Sequence, residues 1–146
     1  MWGKSFRATI NSAMKVYVFG NQDVEEDKAA FDAVRELEGV FKGVTFVIVK
    51  PNEDLPFVGE EKIVILDTVA GISEVRLITG ADLDKIVLPP RGTVHDFDLG
   101  FQLKYLKKLG KLGEIMIIGL PQGKETDYLS IHSILRKLVA QDMQGS

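Results

Sequence analysis

Ile63-Val64-Ile65-Leu66-Asp67 is the stretch on which the fold of this chain turns. Four apolar residues stand in a row with no polar alternation, which predicts a strand covered on both faces. Such strands belong to parallel sheets sandwiched between helices. A carboxylate follows at once. In open α/β sheets the crevice beyond the carboxyl ends of the strands is where ligands bind, so Asp67 stands where functional groups are placed.

Working outward, similar units recur on both sides. Val16–Phe19 is a short apolar run closed by Gly20-Asn21, a strand and its turn. Asp23 with Glu26 three residues on makes a capping-box start, and Ala30, Val34, Leu37 and Phe41 follow at helical spacing. Val44–Val49 is a second β-branched run, ending at Lys50-Pro51. Beyond Asp67, Glu74–Ile78 alternates polar and apolar as an edge strand does. Ala81–Leu88 reads as a short helix stopped by Pro89-Pro90. Leu99, Leu103 and Leu106 mark a helix that begins near Asp96, and Ile115–Leu120 is a last strand ended by Pro121. Thr126 or Asp127 can cap a final helix that buries Tyr128, Ile131, Leu135 and Leu138. The alternation predicts a three-layer αβα sandwich around a mostly parallel twisted sheet of about five strands, with one antiparallel edge strand.

The 146 residues suit one domain, expected over residues 14–146, with 1–13 as a polar N-terminal extension. A hydrophobic share of 45% can supply its core. The net charge of −3 leaves no basic surplus to displace counterions from phosphates, which disfavours a nucleic-acid partner. No apolar run approaches the roughly 20 residues that cross a bilayer, so membrane insertion is not expected. Without cysteine there can be no disulfide, thiolate metal site or cysteine nucleophile. A cytoplasmic monomer is the expectation.

Three side chains then stand out: Asp27 after the first strand, Asp67 after the third, and His95 in the turn before a helix. Two carboxylates and an imidazole converging on one crevice suit a divalent metal ion. Each also has a plainer account. Asp27 lies with Glu25 and Glu26 near a first helical turn, where negative charge is favoured. His95 can cap a helix, and His132, inside the last amphipathic helix, reads as structural. Asp96 reads as an N-cap; Asp98 could orient the imidazole. Other chemistries lack their motifs. No G-x-G-x-x-G follows the first strand, Gly123-Lys124-Glu125 is no phosphate-binding loop, and no serine occupies a strand–helix elbow. An iron site of the usual two-histidine kind is the less expected reading, since the chain has two histidines and one of them reads as structural.

In order, VYVFGN, the pair Glu26-Asp27, IVILDTV, EVRLITGADLDKI, His95 in TVHDFDLGFQL, and GEIMIIGLPQ resemble the endopeptidases that mature [NiFe]-hydrogenases. The resemblance spans roughly residues 14–141. KPNED ahead of LPFVGEEKIVILD is similar to the branch that serves formate-hydrogenlyase and membrane-bound hydrogenases. Departures fall on loop glycines: Val18-Phe19-Gly20-Asn21 has one fewer, Ala30 replaces another, and Val49-Lys50-Pro51-Asn52 replaces a Gly-Gly-Thr/Ser loop. The family's three metal ligands fall on Asp27, Asp67 and His95.

The resemblance implies a hydrolase that removes the C-terminal tail of a hydrogenase large-subunit precursor. It implies that nickel already inserted in that precursor is the recognition element, reached by Asp27, Asp67 and His95, which would be the catalytic residues. A second reading keeps the fold and drops the cut: a non-catalytic relative that binds a hydrogenase subunit or a divalent metal.

Overall fold

The computed structural model describes residues 14–19, 29–39, 41, 43–49, 55–85, 99–123 and 125–144. In chain order these form β1 (Met14–Val18), α1 (Ala29–Leu37), β2 (Val44–Ile48), β3 (Lys62–Val69), β4 (Arg76–Thr79), a 3-10 turn (Gly80–Lys85), α2 (Leu99–Lys108), β5 (Glu114–Pro121) and α3 (Tyr128–Gln144). One five-stranded sheet runs β2-β1-β3-β5-β4. β1 pairs in parallel with β2 and β3, and β3 in parallel with β5; β4 is antiparallel to β5 at one edge. Both the αβα layering and the antiparallel edge are as the sequence predicts.

Two cores sit on the two faces, and the strands feed them alternately, because successive side chains point to opposite sides. Ile63, Ile65 and Val69 pack with Tyr17, Phe57, Leu99, Leu103 and Ile117 on one face. Val64 and Leu66 pack with Val16, Val18, Ile118 and the α1 and α3 residues Ala30, Val34, Ile131 and Leu135 on the other. β3 is therefore buried from Ile63 through Val69. This explains why its sequence is apolar without alternation.

The structure lengthens this strand. The apolar run ends at Leu66, but β3 continues to Val69, each step paired with β5: Asp67 with Gly119, Thr68 with Leu120, Val69 with Pro121. Asp67 therefore lies within the strand, not just past it. Backbone pairing to β5 carries polar residues here that hydrophobicity alone would have placed in a turn.

Other differences are local. The short helix over Ala81–Leu88 is a 3-10 turn over Gly80–Lys85, with residues 86–90 outside the described residues. Its start is tied to the end of α2, where the Lys107 ammonium donates to the Gly80 carbonyl at 3.1 Å. Asp127 is the cap of α3: its carboxylate accepts from the Ser130 amide at 3.1 Å and the Ser130 hydroxyl at 2.6 Å. His132 packs against Phe41 with ring centroids 4.5 Å apart and the planes tilted by 43°, in keeping with a structural role. The capping pair Asp23 and Glu26, with Asp96 and Asp98, lies outside the described residues.

At the amino ends of the strands, the segment before β3 closes the sheet. The Glu114 amide donates to the Glu61 carbonyl at 2.7 Å. Gly113 passes so close to Glu60 and Glu61 that a Cβ there would overlap their backbone atoms.

Candidate functional site at the β1–β3 switch point

From β1 the chain crosses to β2 on one side and later returns to β3 on the other. Such a reversal opens a crevice beyond the carboxyl ends of the two central strands. Asp67 stands there, fully buried at 0% exposure. Within the β1–β3 ladder, the Phe19 amide donates to the Leu66 carbonyl at 3.0 Å. The next step of a continued parallel ladder would take the Thr68 amide to the Phe19 carbonyl. β1 has ended by then, and the Thr68 N–H goes instead to Asp67 Oδ1 at 2.8 Å. The carboxylate thus occupies the place that the departing strand leaves.

Burying a carboxylate is costly unless other groups support its charge. One backbone N–H supplies part of that support. Asp67 and Thr68 are also the buried polar or charged residues in an otherwise apolar interior, among the described residues. Opposite Asp67 on β5 stands Gly119, where a Cβ would meet Val69 Cγ2 at 2.9 Å and Ile78 Cδ1 at 3.1 Å. Packing on the β4 side of Asp67 is therefore tight.

The described starts of α1 and α2 bear on this end of the sheet. α1 begins at Ala29, two residues after Asp27, and packs on the face of Val18 and Leu66. α2 ends near Gly80, which lies against Ile115 at the amino end of β5. Ten helical residues span about 15 Å, so Leu99 begins α2 toward the carboxyl end of the sheet. Leu99 packs on the Asp67 face, with Ile65 and Val69. Asp27 and His95 themselves lie outside the described residues. Of the trio, Asp67 has a described position, and among the described residues no three acidic or imidazole side chains gather to hold a metal ion.

Sequence reasoning did not reveal Tyr17 and Glu60. The Tyr17 phenol donates to Glu60, 2.7 Å to Oε1, across 43 residues of chain. Burial, then this hydrogen bond and the Glu60 charge, push the phenol well above its ordinary value of 10.0. Its ring meets Phe57 edge-on at 5.2 Å. Nothing in the spacing of the two residues announces the pair. Glu60 also borders a cavity of about 270 Å³ with Lys15, Lys62, Glu114 and Met116, at the amino ends of the strands and hence at the opposite end of the sheet from Asp67.

Fold and carboxylate define an open α/β domain with its crevice at the switch point between β1 and β3. Neither a protein-family model nor a curated protein matches the sequence. Two solved structures have a similar arrangement. One is the Hydrogenase 3 maturation protease, at 16% identity over 80% of this chain and 78% of that one, with a TM-score of 0.47. The other is a [NiFe] hydrogenase maturation protease, HycI, from Thermococcus kodakarensis KOD1, at 18% identity over the same shares, with a TM-score of 0.45. No described helix is long and apolar enough to cross a membrane.

Proposed function

We propose that this chain is an endopeptidase of [NiFe]-hydrogenase maturation, cutting the C-terminal tail from a nickel-loaded large-subunit precursor. The observation that carries the reading is Asp67: a carboxylate at 0% exposure, inside the central strand β3 and beside the point where the topology reverses. A buried carboxylate at the switch point of an open α/β sheet stands where such folds place functional groups, which supports a role in the reaction. The ordered motifs around Asp27, Asp67 and His95 supply the rest of the argument.

Nickel is here part of the substrate. A carboxylate such as Asp67 is a hard oxygen donor, and with a second carboxylate and an imidazole it leaves open positions on a divalent ion. The Thr68 amide holds Oδ1, which fixes the carboxylate before substrate arrives. Asp27 and His95 complete the approach in this reading. The metal would polarise the scissile carbonyl or a bound water. The protein acts as a cytoplasmic monomer.

Incubation with nickel-loaded precursor, followed on a gel, tests the reading. Asp67→Asn and His95→Ala should each slow tail removal by about a hundredfold or more. Processing at the wild-type rate in both variants refutes the assigned site, and rapid cutting of nickel-free precursor refutes recognition through nickel. Binding of the precursor by the wild-type protein without loss of its tail would establish the non-catalytic reading instead.

A further inference from the structure

We infer that the outer edge of β2 is a docking strand for an extended peptide, which on the reading just given is the precursor's tail. The edge is defined by the backbone. In the β1–β2 ladder the Met14 amide donates to the Gly43 carbonyl at 2.8 Å and the Val49 amide to the Val18 carbonyl at 3.0 Å. Bonding to β1 therefore falls to residues 43, 45, 47 and 49, and Val44, Phe46 and Ile48 turn their N–H and C=O groups to the outside. No described strand takes these groups, because β2 ends the sheet.

The two edges of the sheet are treated differently. β4 is four residues long and carries Arg76, as protected edges do. β2 reads Val-Thr-Phe-Val-Ile without a charge, is only half covered, and leaves Ile48 46% exposed. In the sequence it is bracketed by Lys42 and Lys50, each two residues beyond an end of the strand. A second copy would bring the same two lysines to the pairing, like charge to like. An uncharged peptide strand that carries carboxylates at its ends complements both lysines. A C-terminal tail brings one such carboxylate as its own terminus. Main-chain pairing gives affinity to such a strand with little demand on its sequence.

Position and direction agree with the proposed cut. β2 lies two strands from β3, so a strand added outside it would lie about 14 Å from β3. That is a span of about four extended residues. A tail leaving the carboxyl end of the sheet would then run antiparallel along β2 and finish near its amino end.

The test uses a fluorescein-labelled peptide of alternating valine and threonine with a free α-carboxylate. Its binding is followed by anisotropy on the full-length Asp67→Asn protein, so that cleavage plays no part. N-methylation of one alternate set of peptide amides should weaken binding about tenfold per methyl, the worth of a net hydrogen bond, and the other set should be neutral. Ile48→Pro removes an outward N–H and should abolish binding, whereas Ile48→Ala should keep it. Equal binding of both methylated peptides overturns the inference without any folding question. So does a dimer in sedimentation that Ile48→Pro dissolves while the peptide fails to bind, for the edge then belongs to a second copy. Loss of peptide binding leaves the Asp67 precursor result standing. Unimpaired cutting by Asp67→Asn, in turn, leaves the peptide result standing.

Discussion

At Asp67 stability and function pull in opposite directions. Asparagine has the same size, and its oxygen can still accept the Thr68 amide that Oδ1 holds at 2.8 Å. The substitution removes a buried charge, so Asp67→Asn should unfold at an equal or higher temperature than wild type while losing activity, a trade-off expected of a functional residue. A lower melting temperature would mark Asp67 as structural support. Tyr17 shows the reverse case. Its phenol is raised above 10.0, so the neutral, hydrogen-bonded form contributes stability fully below that pH and loses it as pH climbs beyond. Alkaline titration of phenolate absorbance should show a tyrosine that ionises only as the protein unfolds. Tyr17→Phe should abolish that late phase and cost about 1.5–3 kcal/mol in urea, as loss of a hydrogen bond to a charged partner does.

Among the elements, β5 depends most on one glycine. Its first residue, Glu114, bonds to Glu61, and Gly113 is the close approach that permits it. A methyl group there would meet backbone, which cannot swing aside as a side chain can. Gly113→Ala should therefore cost about 2 kcal/mol, in the range for overpacking, measured as a shift of the urea midpoint. Helix α3 shows how far local signals reach. Asp127 was one of two possible caps, and Ser130 decides for it by bonding both carboxylate oxygens. These bonds hold the Asp127 carboxyl below its ordinary value. β3 shows where local signals stop. Its apolar residues ended at Leu66, yet pairing with Leu120 and Pro121 extended it to Val69. Hydrophobicity reports burial, whereas the end of a strand is set by the partner it pairs with.

For the molecule as a whole, one central strand serves two cores. Ile65 is fully buried on one face and Leu66 on the other. Ile65→Ala and Leu66→Ala should each cost about 3 kcal/mol, and each should lower the same single denaturation transition with its slope unchanged. Two separate transitions would show that the faces fold independently. The sequence by itself determined the layers, the parallel centre and the antiparallel edge, because solvent exclusion on both faces leaves an uninterrupted apolar signature, and it drew attention to Asp67. Only the tertiary structure decided that Asp67 sits inside its strand and takes the hydrogen bond that β1 gives up. It alone joined Tyr17 to Glu60 and, among the described strands, set β2 at the end of the sheet. Those outcomes depend on which strands become neighbours and where each one stops. Contacts between residues 40 or more apart in the chain leave no periodic trace within either segment.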